Sequence, residues 1–271
     1  MTAVVHTEPV LERRQVIRRV PVAPIPLSRI TRVELRKMFN TRSGFWLMAS
    51  IVIAALVATT AVILFAADSD LTYSTFGAAV GFPMAVILPM VAILSVTSEW
   101  SQRSGLTTFT LVPHRSRVIL AKAICSVTVG VVSMLLAFAI GALGNLVGTA
   151  ITGTPVVWDM SVTHCLCIVL ANVLGLLTGF MLGVLIRSSA GAIVAYFVYS
   201  FVLTGLLAVL ASSQHWFETL RPWVDVNFAQ GVLFNGTPTG AEWAHIGVTG
   251  LTWLVLPLAV GLRYVMRSEV K

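Results

Sequence analysis

The chain has 271 residues, of which 57% are hydrophobic and only 11% charged, with a formal net charge of +7. Soluble domains carry about 25% charged residues, so an ordinary water-soluble globule is excluded and lipid is the expected solvent. The positive balance fits attraction to anionic headgroups, and no other feature of the sequence supports nucleic-acid binding.

Residues 1–26 mix basic residues with Pro9, Pro21, Pro24 and Pro26, which predicts a disordered arm ahead of a single transmembrane domain over 27–271. The first apolar run begins only at Phe45, after a long basic tail, which is unlike a secretory signal. From Ser28, a capping residue, to Asn40 the pattern predicts a short amphipathic helix. Leu27, Ile30, Leu35, Met38 and Phe39 share one arc, and Arg29, Arg32, Arg36 and Lys37 share the other. The expected place for such a helix is the membrane interface, with its apolar side in the acyl boundary. Glu34 falls inside the apolar arc. Its carboxylate requires a cation from the polar segment 99–122, or else Lys37 of its own helix or water.

Six apolar stretches follow, at approximately 45–66, 73–96, 118–147, 163–186, 190–211 and 244–262. About 20 helical residues cross the hydrocarbon core, and helices satisfy their own backbone groups in lipid. The predicted fold is therefore all-α, a polytopic membrane protein with six transmembrane helices. Seventeen of the 18 Lys and Arg residues lie in the tail, the second-to-third connection, the fourth-to-fifth connection or the C-terminus, and the opposite connections hold only Arg221. By the positive-inside rule both termini and the 99–122 segment are cytoplasmic.

No Asp, Glu or Lys is expected deep in a span, which weakens a coupled secondary carrier, since such carriers bind their ion near the midplane. Asn145, Asn172, Thr178 and Ser200 are expected to hydrogen-bond between helices. His164 and His245 stand at span entrances, where water contact is the default. Gly77 with Gly81, Gly144 with Gly148, and Gly175, Gly179 and Gly183 have helix-packing spacing, within one subunit or at a dimer seam or moving interface. Pro83, Pro89 and Pro257 should bend their spans. The connection 212–243 is rich in aromatic residues and is expected to anchor at the membrane surface or to cap an exit path.

Catalytic motifs are missing from the sequence. There is no GxxxxGK[ST] phosphate loop, no HExxH and no GxSxG. Cys125, Cys165 and Cys167 fall in or beside spans, without zinc spacing, and read as small apolar packing. If the protein uses ATP, another chain must bind it.

The polar segment 99–122 holds one carboxylate, Glu99, and four basic residues, Arg103, Arg115, Arg117 and Lys122. With Gly105, Thr107, Thr108 and Pro113 these residues form a pattern, E-x(n)-G-x-T…P-x-R-x-R…K, that resembles the ABC-2-type permeases, near the bacterial antibiotic- and multidrug-export group. The helix carrying Glu34, Arg36 and Lys37 resembles that family's elbow helix. The motif is confined to 99–122, while the six-span layout covers nearly the whole chain. Ser101-Gln102-Arg103-Ser104 departs from the more basic run many members carry before the glycine.

The resemblance implies a cytoplasmic coupling helix near 98–112, with Glu99 at its start, docking on a separate ATPase subunit. Two such ATPase subunits, holding ATP and Mg, would drive two permease subunits, alike or different. This chain would itself hold no cofactor and catalyse nothing. Its expected place is the bacterial cytoplasmic membrane, and its cargo is hydrophobic or amphipathic. The alternatives are an ATP-independent carrier, which would move cargo without nucleotide, and a non-transporting membrane anchor.

Overall fold

The computed structural model describes residues 25–101 and 115–267. The arm predicted over 1–26 lies outside them except for Ile25 and Pro26. Helix α1 spans Leu27–Asn40, α2 Arg42–Phe65, α3 Tyr73–Ser101, α4 Arg115–Thr152 and α5 Val162–Ile186. Helix α6 runs over Ser189–Ser213 and carries a π-helical stretch at Val198–Leu203. Two short helices follow, α7 at His215–Val224 and α8 at Val226–Asn235. Helix α9, Gly240–Arg267, has a second π-helical stretch at Leu251–Val255. Helices α2, α3, α4, α5, α6 and α9 are each long and apolar enough to cross a membrane. No strand occurs among the described residues, apart from an isolated bridge between Thr72 and Val157.

The helix starts carry local chemistry. Thr41 Oγ1 accepts from the Gly44 amide at 3.1 Å and caps α2. Ser161 Oγ accepts from His164 at 3.1 Å and caps α5, and Thr239 with Glu242 forms a reciprocal capping box on α9. Helix α3 borrows its cap from a distant loop: Asp159 accepts from the Ser74 amide at 2.8 Å and from Ser74 Oγ at 2.5 Å. A carboxylate there also meets the positive end of the helix dipole.

Helix α4 is 38 residues long, about 57 Å at 1.5 Å per residue, so it outruns a hydrocarbon core of about 30 Å. The predicted span 118–147 is extended at both ends. At the far end Thr149 and Thr152 turn their hydroxyls onto carbonyls of their own helix, and Asn145 Nδ2 donates to Val157 O at 3.0 Å. Polar side chains are thus absorbed without breaking the helix.

The core lies where α3 crosses α4 and α5, around Met84, Leu88, Leu176 and Phe180. Gly179 sits against Pro89: a Cβ at Gly179 would lie 2.7 Å from the Pro89 carbonyl oxygen. Pro89 has no amide, so the carbonyl of Ala85 has no helical partner. Tyr196, on α6, fills the gap by donating its hydroxyl to Ala85 O at 3.0 Å. Tyr196→Phe keeps the ring but leaves that carbonyl unpaired, and a loss of about 1–3 kcal/mol is expected. Denaturant titration of the detergent-purified variant measures it, and no loss would show that Ala85 finds another donor.

Most of the small-residue positions serve packing within the chain. Gly77, Gly144, Gly148, Gly175, Gly179 and Gly183 each have a neighbour from another segment within 4 Å of a built Cβ, whereas Gly81 has open space. The polar side chains inside spans behave differently from expectation. Asn172 Nδ2 donates to Ile168 O and Thr178 Oγ1 to Leu174 O, both on their own helix. Of Asn145, Asn172 and Thr178, only Asn145 reaches beyond its own helix, to the Val157 carbonyl. The residue four positions earlier offers a carbonyl at no cost in geometry, so it wins over a neighbouring helix.

The connection 212–243 is more than a surface anchor. Ala229 and Leu233 of α8 pack on Cys167 and Ala171 of α5, with Ile246 of α9. Asp225, 2% exposed, caps α8 through the Phe228 amide at 3.1 Å and pairs with Arg221 Nε at 3.1 Å. Asn227 Nδ2 donates to Thr204 Oγ1 at 2.9 Å and to Tyr199 O at 3.3 Å, both at the π-helical stretch of α6. Trp216, Trp223, Phe228 and Trp243 stay exposed. The two histidines are half-buried rather than simply wet: His164 Nε2 lies 3.0 Å from Phe234 O, and the His245 ring meets Trp223 edge-on at 4.3 Å.

Candidate functional site

Of the residues predicted to matter, Glu99 precedes residues 102–114 and Arg115, Arg117 and Lys122 follow them. Arg103, Gly105, Thr107, Thr108 and Pro113 are outside the described residues. Glu99 is in the last turn of α3, and Arg115 is the first residue of α4. The expected start of a separate helix at Glu99 is therefore corrected. Helix α3 continues to Ser101, so Glu99 sits at a C-terminal helix end, and stabilisation by a positive dipole end does not apply to it.

The flanks are tied together by Lys122. It lies two turns into α4 and is 5% exposed. Its Nζ is 2.6 Å from Glu34 Oε2 and 2.9 Å from the Ser95 carbonyl of α3. Glu34, 4% exposed, also receives Lys37 Nζ on Oε1 at 2.8 Å. Both partners foreseen for Glu34 are thus present together, one on each carboxylate oxygen. Lys122 in turn was expected at a docking surface and is instead buried among α1, α3 and α4. An ammonium at that depth is stable only beside an anion and an acceptor, and Glu34 and Ser95 supply them.

Burial alone pushes the Glu34 carboxyl up. The charge of Lys122 and the hydrogen bonds from Lys122 and Lys37 outweigh it and hold the group below the usual carboxylate range. At neutral pH Glu34 is therefore an ionised carboxylate, held by the Nζ atoms of Lys122 and Lys37.

Further bonds fix α1 along the start of α4. Arg117 Nη1 donates to Ile25 O at 3.1 Å, and Cys125 Sγ donates to Thr31 O at 3.2 Å. The inward face of α1 carries Ile30 and Glu34, both buried. The middle of the apolar arc is thus buried against the protein's own helices, where the cation for Glu34 is, while Phe39 at its edge stays exposed. Arg36 is exposed on the opposite side. On α3, Ser95 Oγ meets Ser126 Oγ of α4 at 3.0 Å, and Thr97 Oγ1 meets Ser189 Oγ of α6 at 2.7 Å.

Sequence reasoning missed Ser95, Ser126, Thr97 and Ser189. Their signal was available: small hydroxyl residues near the ends of apolar spans that flank a charged connection.

Together these features define a multi-pass helical membrane protein with a polar knot of α1, α3 and α4 at the root of residues 102–114. No protein-family model matches the chain, and comparison with curated proteins finds no match.

Proposed function

We propose that the chain is the permease subunit of an ABC exporter of the ABC-2 type, moving a hydrophobic or amphipathic substrate out of the cytoplasm or the inner leaflet. ATP and Mg are held by a separate ATPase subunit, two copies of which serve a pair of permease subunits. In this reading both termini and residues 102–114 face the cytoplasm of a bacterial cell, an orientation that the bias of Lys and Arg supports.

Support comes above all from the Lys122 knot. Residues 102–114 join the ends of α3 and α4, and Lys122 binds α3 through Ser95 and α1 through Glu34. A force applied to the 102–114 segment by a closing ATPase reaches three helices at once, and through α3 it reaches the core crossing with α5. In this reading Glu99, Arg103, Gly105, Thr107, Thr108 and Pro113 form the docking element. Arg115 and Arg117 stand at its return, and Lys122 is the anchor behind it.

Affinity purification in mild detergent, with mass spectrometry of the proteins recovered, tests this. The parent is expected to bring down an ATPase subunit, and a variant with Glu99→Ala and Gly105→Trp is expected to lose it while still inserting. Recovery of no ATPase, or equal recovery with the variant, would overturn the proposal.

A further inference from the structure

The outward face of α1 is patterned too. At 3.6 residues per turn Arg29, Arg32 and Arg36 fall within about 60° of one another and span about 10 Å of helix. They lie on the side away from Ile30 and Glu34. All three are exposed, and none makes a side-chain hydrogen bond or ion pair among the described residues. Val33 and Phe39, 49% and 48% exposed, flank the stripe.

Two sets of contacts fix its depth. Helix α1 is bonded to Lys122 and Cys125, and Ile25 just ahead of it to Arg117, all in the first turns of a helix whose apolar stretch begins at Ser116. The apolar stretch of α2 begins at Gly44, only four residues beyond the end of α1. A helix held at two such boundaries has its outward face at headgroup level. Phe45 and Trp46, 58% and 66% exposed, follow at once, as side chains do where acyl chains meet headgroups.

We propose that Arg29, Arg32 and Arg36 form a binding site for anionic phospholipid. Guanidinium groups pair with phosphate oxygens in bidentate fashion, and the stripe offers three such groups that no carboxylate pairs with among the described residues. Phe39, Phe45 and Trp46 lie in the adjoining acyl boundary. An acidic protein surface would satisfy the arginines but leave these exposed apolar side chains in water, so lipid is the better complement. The site needs only that the chain sits in a bilayer and is independent of the exporter reading. It also shares a helix with Glu34, so a lipid bound outside holds the helix that clasps Lys122 inside.

The test uses the full-length protein reconstituted in phosphatidylcholine, with spin-labelled phosphatidylglycerol or phosphatidylcholine as probe. The parent is expected to prefer phosphatidylglycerol about fivefold, and raised salt should weaken the preference. The triple variant R29Q/R32Q/R36Q is expected to lose most of it, and Arg32→Gln alone part of it. R263Q/R267Q, which removes two charges elsewhere, should keep it.

A triple variant with undiminished preference would overturn the site. So would an equal loss in R263Q/R267Q, which would mean a diffuse charge effect. Unchanged lipid preference with loss of a co-purifying protein would overturn it in favour of a protein-docking face. If the triple variant is not monodisperse, the single variant and the salt series decide in its place.

Discussion

Lys122→Met lowers the stability of the detergent-purified protein by about 3–5 kcal/mol, near the lower end because Lys37 stays beside Glu34. Methionine fills a similar volume, so the loss is electrostatic: a carboxylate 4% exposed is left with one partner where it had two. The double variant Glu34→Leu/Lys122→Met removes both charges and is expected to recover most of the loss, as replaced buried pairs commonly do. Chemical unfolding of the parent, the single variant and the double variant measures the cycle. Equal loss in the single and double variants would mean that Lys122 matters for its packing and not for its charge.

The pH dependence of the same site has a definite sign. Glu34 is held below its ordinary value in the folded protein. Its contribution is therefore complete above the unfolded carboxylate range and fades as pH falls through the lower folded value. The parent should lose stability in that acidic window, and Glu34→Gln should lose less there. In Lys122→Met the carboxylate lacks its main counter-charge, so acid relieves the burial cost and the gap to the parent narrows. A gap that widened on acidification would contradict the ionised pair.

Much of this was legible in the sequence, for reasons that differ by residue. The spans follow from length and composition, because an apolar helix needs nothing but lipid to satisfy it. Glu34 announced a partner by standing in an apolar arc, and the sequence narrowed the partner to the 99–122 segment or Lys37. That both would bind at once depends on the crossing of α1 with α4, which no local pattern encodes. Lys122 was misread for the same cause: at a span entrance a lysine is ordinarily an anchor, and only the third dimension puts α1 over it. Glu99 was misplaced because the polar content of 99–101 looks like a connection, whereas α3 carries its helix through Ser101. The bond from Tyr196 to Ala85 was half written, since Pro89 frees a known carbonyl, but the donor stands 111 residues beyond that carbonyl in the chain.

The crossing of α3 and α5 carries the second large effect. At Gly179 an added Cβ would lie 2.7 Å from Pro89 O and 2.9 Å from Pro89 Cα. These are backbone atoms of a proline-containing turn and cannot rotate aside. The helices must separate, and each of Leu88, Leu176 and Phe180, fully or almost fully buried, loses contact in consequence. Gly179→Ala is expected to cost about 2–3 kcal/mol, and Gly179→Leu more, as overpacking of a filled core does. Gly183, one turn along, leaves 3.4 Å to Ile93, so Gly183→Ala should cost less. Gly81→Ala meets nothing within 4 Å and gains helix propensity, worth about 0.8–1.0 kcal/mol. Unfolding midpoints of the three alanine variants should therefore rank Gly81, Gly183, Gly179 from most to least stable. The same crossing lies between the Lys122 knot and α6, through Pro89, Ala85 and Tyr196. If the proposed exporter reading holds, a Gly179→Ala protein that still recovers the ATPase subunit but no longer transports would place transmission at this contact. On that reading, normal transport with lowered stability would confine Gly179 to packing.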